Sequence, residues 1–213
     1  MPYSNFTFSA VKKMFELSTI ENSLAIPNQT DNAKDIKSIQ EVLINDAKIE
    51  SLLKTIAYNL SIATAIGTEK ARSELLIVPI LLTVRKLLNN KISLFSGVEF
   101  NVNEKLQLNG VCDYIISKSQ EQYCVEVPVL TIVEAKEADL NLGMGKVIAE
   151  MIAFQQFNRE SNLKIKNIYG CISNGTHWRF LRLEERNLHI DNRDRYIYPL
   201  EDLVETFKSI LRY

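Results

Sequence analysis

Asp113 sits within the run Val111-Cys112-Asp113-Tyr114-Ile115-Ile116, and Glu134 and Lys136 close a second apolar run, Val129-Leu130-Thr131-Ile132-Val133. A charge on a strand that reads as buried needs compensation, because a solitary carboxylate taken out of water is costly. Alternation along a strand puts Glu134 and Lys136 on one face, and pairing the two runs as neighbours brings Asp113 beside Glu134. Two carboxylates around a divalent cation compensate each other's burial. Oxygen donors with room for water suit Mg²⁺ or Mn²⁺, and the carbonyl of Ala135 completes the protein's share. Such an ion would polarise a phosphoryl oxygen and lower the pKa of a bound water. Lys136 would orient or deprotonate that water or, if it stays charged, stabilise charge in the transition state. Hydrolysis of a phosphodiester is the chemistry these residue types predict; a structural ion pair at a sheet edge is the alternative.

An acid two residues before a lysine says little by itself. Asp35-Ile36-Lys37 and Asp46-Ala47-Lys48 match it too, but inside helical patterns where charges are solvated. The elements around Glu134 separate it from them. Helical spacing predicts helices over 9–18, 35–45 and 47–63, with a turn-rich loop over 26–32. Thr68, after Gly67 and before Glu69, marks the start of a helix running to about Asn89. The period then turns extended over Ile92–Asn101, Leu106–Ser117 and Val127–Lys136, an antiparallel meander. Gly143 to about Asn158 returns to helical spacing, which puts Lys146 and Glu150 near the face of Gln155, although they read as an ordinary surface i,i+4 pair. Strands over 168–173 and 177–183 flank Asn174-Gly175, a strong hairpin signal. Tyr196–Tyr198 reads as a short strand, and Pro199 opens a last helix. A strand, crossover helix and strand after a meander predict a mixed α/β sheet flanked by helices.

Composition narrows the function classes. The 213 residues suit one sizeable core. With 46% hydrophobic and 24% charged residues and no long apolar run, the expectation is a soluble, cytoplasmic protein without membrane contact. Cys112, Cys124 and Cys171, an odd and widely spaced set with only two histidines to join them, read as reduced structural thiols rather than a zinc site. A net charge of −1 gives no global attraction to nucleic acid, so phosphate binding requires a local patch. Arg179, Arg182, Arg186, Arg193 and Arg195 cluster late, diluted by Glu184, Glu185, Asp191 and Asp194. His177 reads as a polar hairpin residue. Gly143-Met144-Gly145-Lys146 lacks the spacing of a nucleotide-binding loop and reads as a tight entry to a helix.

Over roughly residues 68–184, Asp113, Glu134-Ala135-Lys136 and the order helix, three strands, helix, strand resemble the PD-(D/E)XK nuclease superfamily. The resemblance implies a restriction-endonuclease-like core over 67–213 with an N-terminal helical extension over 1–66. It implies that Asp113, Glu134 and Lys136 are functional in Mg²⁺- or Mn²⁺-dependent cleavage of nucleic acid, with DNA favoured over RNA. Cys112 stands where the motif's proline would be. Glu74 resembles an acid that some members carry on the first core helix, where it completes the metal site. Gln155 resembles a glutamine that exonuclease-like members place on the second core helix. Ser173–Phe180 is similar to a hairpin in the nuclease domains of type I restriction subunits. Many members act as dimers, so a homodimer is a further expectation. A fold-preserved, non-catalytic interaction module is the competing implication, and a small-molecule hydrolase using the same metal site a third.

Overall fold

The computed structural model describes residues 2–22, 24, 39–136 and 139–212. The expected loop over 26–32 and the first residues of the helix expected from 35 lie outside these. Helix α1 spans Phe8–Met14 and is capped by Thr7, whose side chain accepts the Ala10 N–H. Helix α2 runs unbroken over Ile39–Ile66. Two helices were expected there, but Asn45-Asp46 interrupts only the apolar period and supplies no glycine or proline to break the backbone.

The next helix is continuous with a wide turn inside it: α3 covers Glu69–Arg72, a π-helical turn covers Ser73–Ile77, and α4 covers Val78–Leu87. Thr68 caps it by accepting the Ala71 N–H at 3.2 Å. Pro79 accounts for the widening. It has no N–H, and its ring crowds the carbonyl four residues back, that of Leu75. That carbonyl accepts instead from Asn59 Nδ2 of α2 at 2.8 Å.

Among the described residues the sheet has eight strands: β1 (Ser18–Asn22), β2 (Ser93–Glu99), β3 (Val111–Ser117), β4 (Val129–Ala135), β5 (Ile168–Ser173), β6 (His177–Glu184), β7 (Asn187–Asp191) and β8 (Arg195–Tyr196). Their order is β1-β7-β6-β5-β4-β3-β2, with β8 on β6. The meander β2-β3-β4 is antiparallel, β4 and β5 are parallel, and α5 (Met144–Glu160) crosses between them. Helix α6 spans Leu200–Arg212. The protein is therefore mixed α/β with a mixed sheet. Of residues 106–110, expected to begin β3, Leu106 ends a 3-10 turn over Glu104–Leu106, and the strand starts only at Val111. The strands β1 and β7 were not expected: both are short and carry polar residues at each end.

Two apolar layers hold the sheet. One joins Leu52 and Ile56 of α2, Ile80 and Val84 of α4, and Val204 and Phe207 of α6 to Val133, Ala135, Cys171, Trp178 and Phe180. The other joins Tyr3, Phe6 and Val11 to Val147, Ile148, Met151 and Phe154 of α5 and to Ile172, Leu181 and Leu183. The N-terminal segment expected as a helical extension thus supplies an edge strand and part of the second core. Because Val133 and Ala135 face the first layer, alternation turns Glu134 toward α5. Among the described residues, no helix is long and apolar enough to cross a membrane.

Candidate functional site

The site forms where the β3–β4 ladder ends. Registered pairing stops at Tyr114 opposite Val133. One residue further, the Asp113 carboxylate takes the place of a strand partner: its Oδ2 accepts the Ala135 N–H at 2.8 Å. Glu134, between these two contacts, is wholly buried. Lys136 follows the strand, holds the ladder to β5 by donating its N–H to the Ser173 carbonyl at 2.8 Å, and returns its Nζ to Glu134 Oε1 at 2.7 Å. Sequence order thus brings Asp113, Glu134, Ala135 and Lys136 to one place.

Helix α5 supplies the rest. Lys146 and Glu150 are one turn apart on its inner side, with side chains 17% and 0% exposed. The expected surface pair is therefore buried. Lys146 Nζ stands 2.8 Å from Glu134 Oε2, 3.5 Å from Asp113 Oδ1 and 3.8 Å from Glu150 Oε1. Glu69, in the first turn of α3, reaches Lys136 at 3.7 Å from the opposite side. Gly145 lets α5 approach closely: a Cβ there would lie 1.9 Å from the Phe6 carbonyl oxygen. Gly143 leaves room for Lys136, whose Cε would be 3.1 Å from a Cβ at that position.

Four carboxylates thus surround two ammonium groups. Burial, with Asp113 adding repulsion, pushes Glu134 up to about 7 against the pull of Lys146 and Lys136. Glu150 is raised well above the usual carboxylate range, chiefly by burial and then by Glu134. Burial opposes the charge on both lysines, but the carboxylates outweigh it and both titrate above the ordinary lysine value. Burial and the nearby Glu150 raise the Cys112 thiol, consistent with an inert structural cysteine.

Glu74 and Gln155 are placed elsewhere. The Glu74 side chain is 63% exposed on the π turn and pairs loosely with Lys70 at 3.8 Å. Gln155 is buried but turned away, its Nε2 donating to the Glu185 carbonyl at 3.2 Å. Among the described residues, no hydrogen bond or ion pair joins either to Asp113 or Glu134. The third acid comes from Glu150 and a flanking one from Glu69. For the first, the available signal was the helical spacing that puts Lys146 and Glu150 near the face of Gln155. For Glu69, the helix-start pattern masked any other role.

Three of the late arginines, Arg179, Arg186 and Arg195, are paired with carboxylates. Arg179 binds Asp194 through Nε and Nη2, both at 2.9 Å, and Asn141 at 2.8 Å. His177 contacts Asp194 at 2.7 Å and stacks on Tyr196. Arg195 faces Asp191 at 3.2 Å, and Arg186 faces Glu16 at 2.7 Å. A cavity of about 480 Å³ beside Arg179 is also lined by Glu21, Asp191 and Asp194, so its balance is acidic and does not suit a phosphate.

The donor set fits a hard divalent cation in its chemistry. Asp113, Glu134 and Glu150 offer oxygen alone, and both Glu150 oxygens are shut off from solvent, with the weak donor of the Cys112 thiol beside them. Among the described residues, however, no three such side chains already stand grouped around an ion position. The ammonium of Lys146 lies between them. No protein-family model matches the chain, and no curated protein matches it.

Proposed function

We propose that this protein is a divalent-metal-dependent phosphodiesterase acting on nucleic acid, with a restriction-endonuclease-like core. One observation carries the reading: Asp113, Glu134 and Glu150 converge with Lys136 and Lys146 on a single face, where β3, β4 and α5 meet. Burying this many charges is costly, and a purely structural role would be served as well by apolar packing. Perturbed, mutually coupled carboxylates of this kind mark functional sites.

Asp113, Glu134, Glu150 and the Ala135 carbonyl would hold Mg²⁺ or Mn²⁺. The bound ion supplies polarisation of a phosphoryl oxygen and a water of lowered pKa. The protein's own groups do the positioning. Asp113 is fixed by the Ala135 N–H, which aligns it with Glu134. Lys136, held charged by Glu134 and Glu69, donates hydrogen bonds to the attacking water and offsets charge that develops on the phosphoryl group, so it is not the base. DNA is favoured through the resemblance to the PD-(D/E)XK superfamily; no residue of the site is placed to read a base edge or a 2′-hydroxyl.

One observation favours a second reading, a non-catalytic module that keeps the fold: Lys146 already neutralises the carboxylates. A panel of labelled single-stranded, duplex and branched DNA and of RNA, incubated with Mn²⁺ and with EDTA, separates the two. Cleavage that requires Mn²⁺ supports the phosphodiesterase. Intact substrates throughout, with no Mn²⁺ bound by the protein, would remove it.

A further inference from the structure

We propose that Lys146 is a tethered counter-cation that competes with a divalent metal ion for the Asp113, Glu134 and Glu150 carboxylates. This rests on the metal-site reading above and adds how that site is regulated. Among the described residues, the Lys146 Nζ is the one cation within 4 Å of all three carboxylates: 2.8 Å from Glu134, 3.5 Å from Asp113 and 3.8 Å from Glu150. Lys136, by contrast, pairs with Glu134 and Glu69 at the rim.

An ammonium and a divalent ion cannot share these oxygens, because two positive charges this close in a buried setting repel strongly. Lysine is a point charge on a flexible four-carbon stem, and this one is 17% exposed, so it has a path outward. Glu150 is its anchor on the same helix. The Glu150 oxygens are shut off from solvent and meet the ammonium at 3.8 Å and the weak donor of the Cys112 thiol, so the ammonium only partly satisfies the site, and an ion of higher charge can replace it. Metal entry therefore requires Lys146 to swing away, and the apparent metal affinity is lowered by the ion pairs given up.

The test is Mn²⁺ titration by calorimetry, alongside metal-induced thermal stabilisation, of the wild type and Lys146→Met. The expected result is Mn²⁺ binding at least about tenfold tighter in Lys146→Met and a larger thermal shift. Should Lys146→Met not fold, the double variant Lys146→Met/Glu150→Gln is compared with Glu150→Gln and shows the same tightening. Equal or weaker Mn²⁺ binding without Lys146 overturns the inference; if the wild type also cleaves nucleic acid, the phosphodiesterase reading stands. Tighter binding without any cleavage in either protein upholds the inference and removes that reading. Binding by none of the four proteins removes both.

Discussion

Lys146 Nζ lies 2.8 Å from Glu134 Oε2, so the wholly buried carboxylate of β4 is neutralised by a side chain from the helix that crosses over it. The crossover is what makes a site: it returns the chain to the level of β4 with Lys146 and Glu150 turned inward. The cluster is then a junction of three elements rather than a property of the acid-Ala-Lys triplet.

Glu134 gives the protein a pH-dependent stability. Its carboxyl is raised from 4.5 to about 7 in the fold, so the native state holds the proton more tightly than the unfolded chain. The stabilisation is complete below the unfolded value and is lost as pH rises through about 7, a change on the order of 3 kcal/mol. Urea denaturation with EDTA at about pH 5 and about pH 8 should show this loss in the wild type and a smaller loss in Glu134→Gln, where Glu150, raised in the same way, remains. Identical pH slopes in the two proteins would contradict the assignment.

Gly145→Ala should destabilise the protein by about 2 kcal/mol or more, because the new Cβ meets the Phe6 backbone, which cannot rotate away. Gly143→Ala meets only the Lys136 and Ile172 side chains at 3.1 Å, and should cost less stability while displacing Lys136 and slowing hydrolysis. Thermal melts and rates of the two variants check this. A Gly145→Ala melt equal to wild type would mean that α5 and the N-terminal segment are not in contact.

Substitutions should rank the acids by geometry. Glu150→Gln is expected to lower the hydrolysis rate by about a hundredfold or more through loss of an oxygen donor to the proposed metal ion. Glu69→Ala should lower it only a few-fold, since its 3.7 Å pair with Lys136 is partly exposed. Gln155→Ala should act on stability, by about 1 kcal/mol, through the lost bond to the Glu185 carbonyl. Glu74→Ala should cost less than about 0.5 kcal/mol. Steady-state rates and chemical denaturation give both quantities; a Glu74 effect as large as that of Glu150 would reverse the ranking.

Thiol labelling offers a check on the fold itself. Cys124 is exposed, while Cys112 and Cys171 are fully buried with thiols raised by burial. One thiol should react in the native protein and three after denaturation. Fast reaction at Cys112 would show that the wall behind Glu150 is open to solvent.

Much of this was legible in the residues. Alternation in 129–136 and the interruption at Asp113 located the acids, and the Asn174-Gly175 signal located the β5–β6 hairpin, because buried strands and tight turns leave local patterns. Helical spacing put Lys146 and Glu150 near the face of Gln155 but did not show that they are buried, since an i,i+4 pair looks the same solvated or buried; only the sheet beneath α5 distinguishes the two. That Glu74 and Gln155 stand apart from the cluster has a related reason. A helix's rotation is set by its packing, and the π turn at Ser73–Ile77 shifts the face that Glu74 presents. Edge strand β1 left no trace because its exposed residues need no apolar period.

The most direct test of the central claim is single-turnover cleavage of labelled DNA in Mn²⁺ by the wild type and by Glu134→Gln, with EDTA as the control. Cleavage by the wild type that EDTA abolishes and Glu134→Gln slows by at least about a thousandfold is the predicted result. Cleavage that persists undiminished in Glu134→Gln, or a wild type that binds Mn²⁺ and leaves every substrate intact, would contradict it.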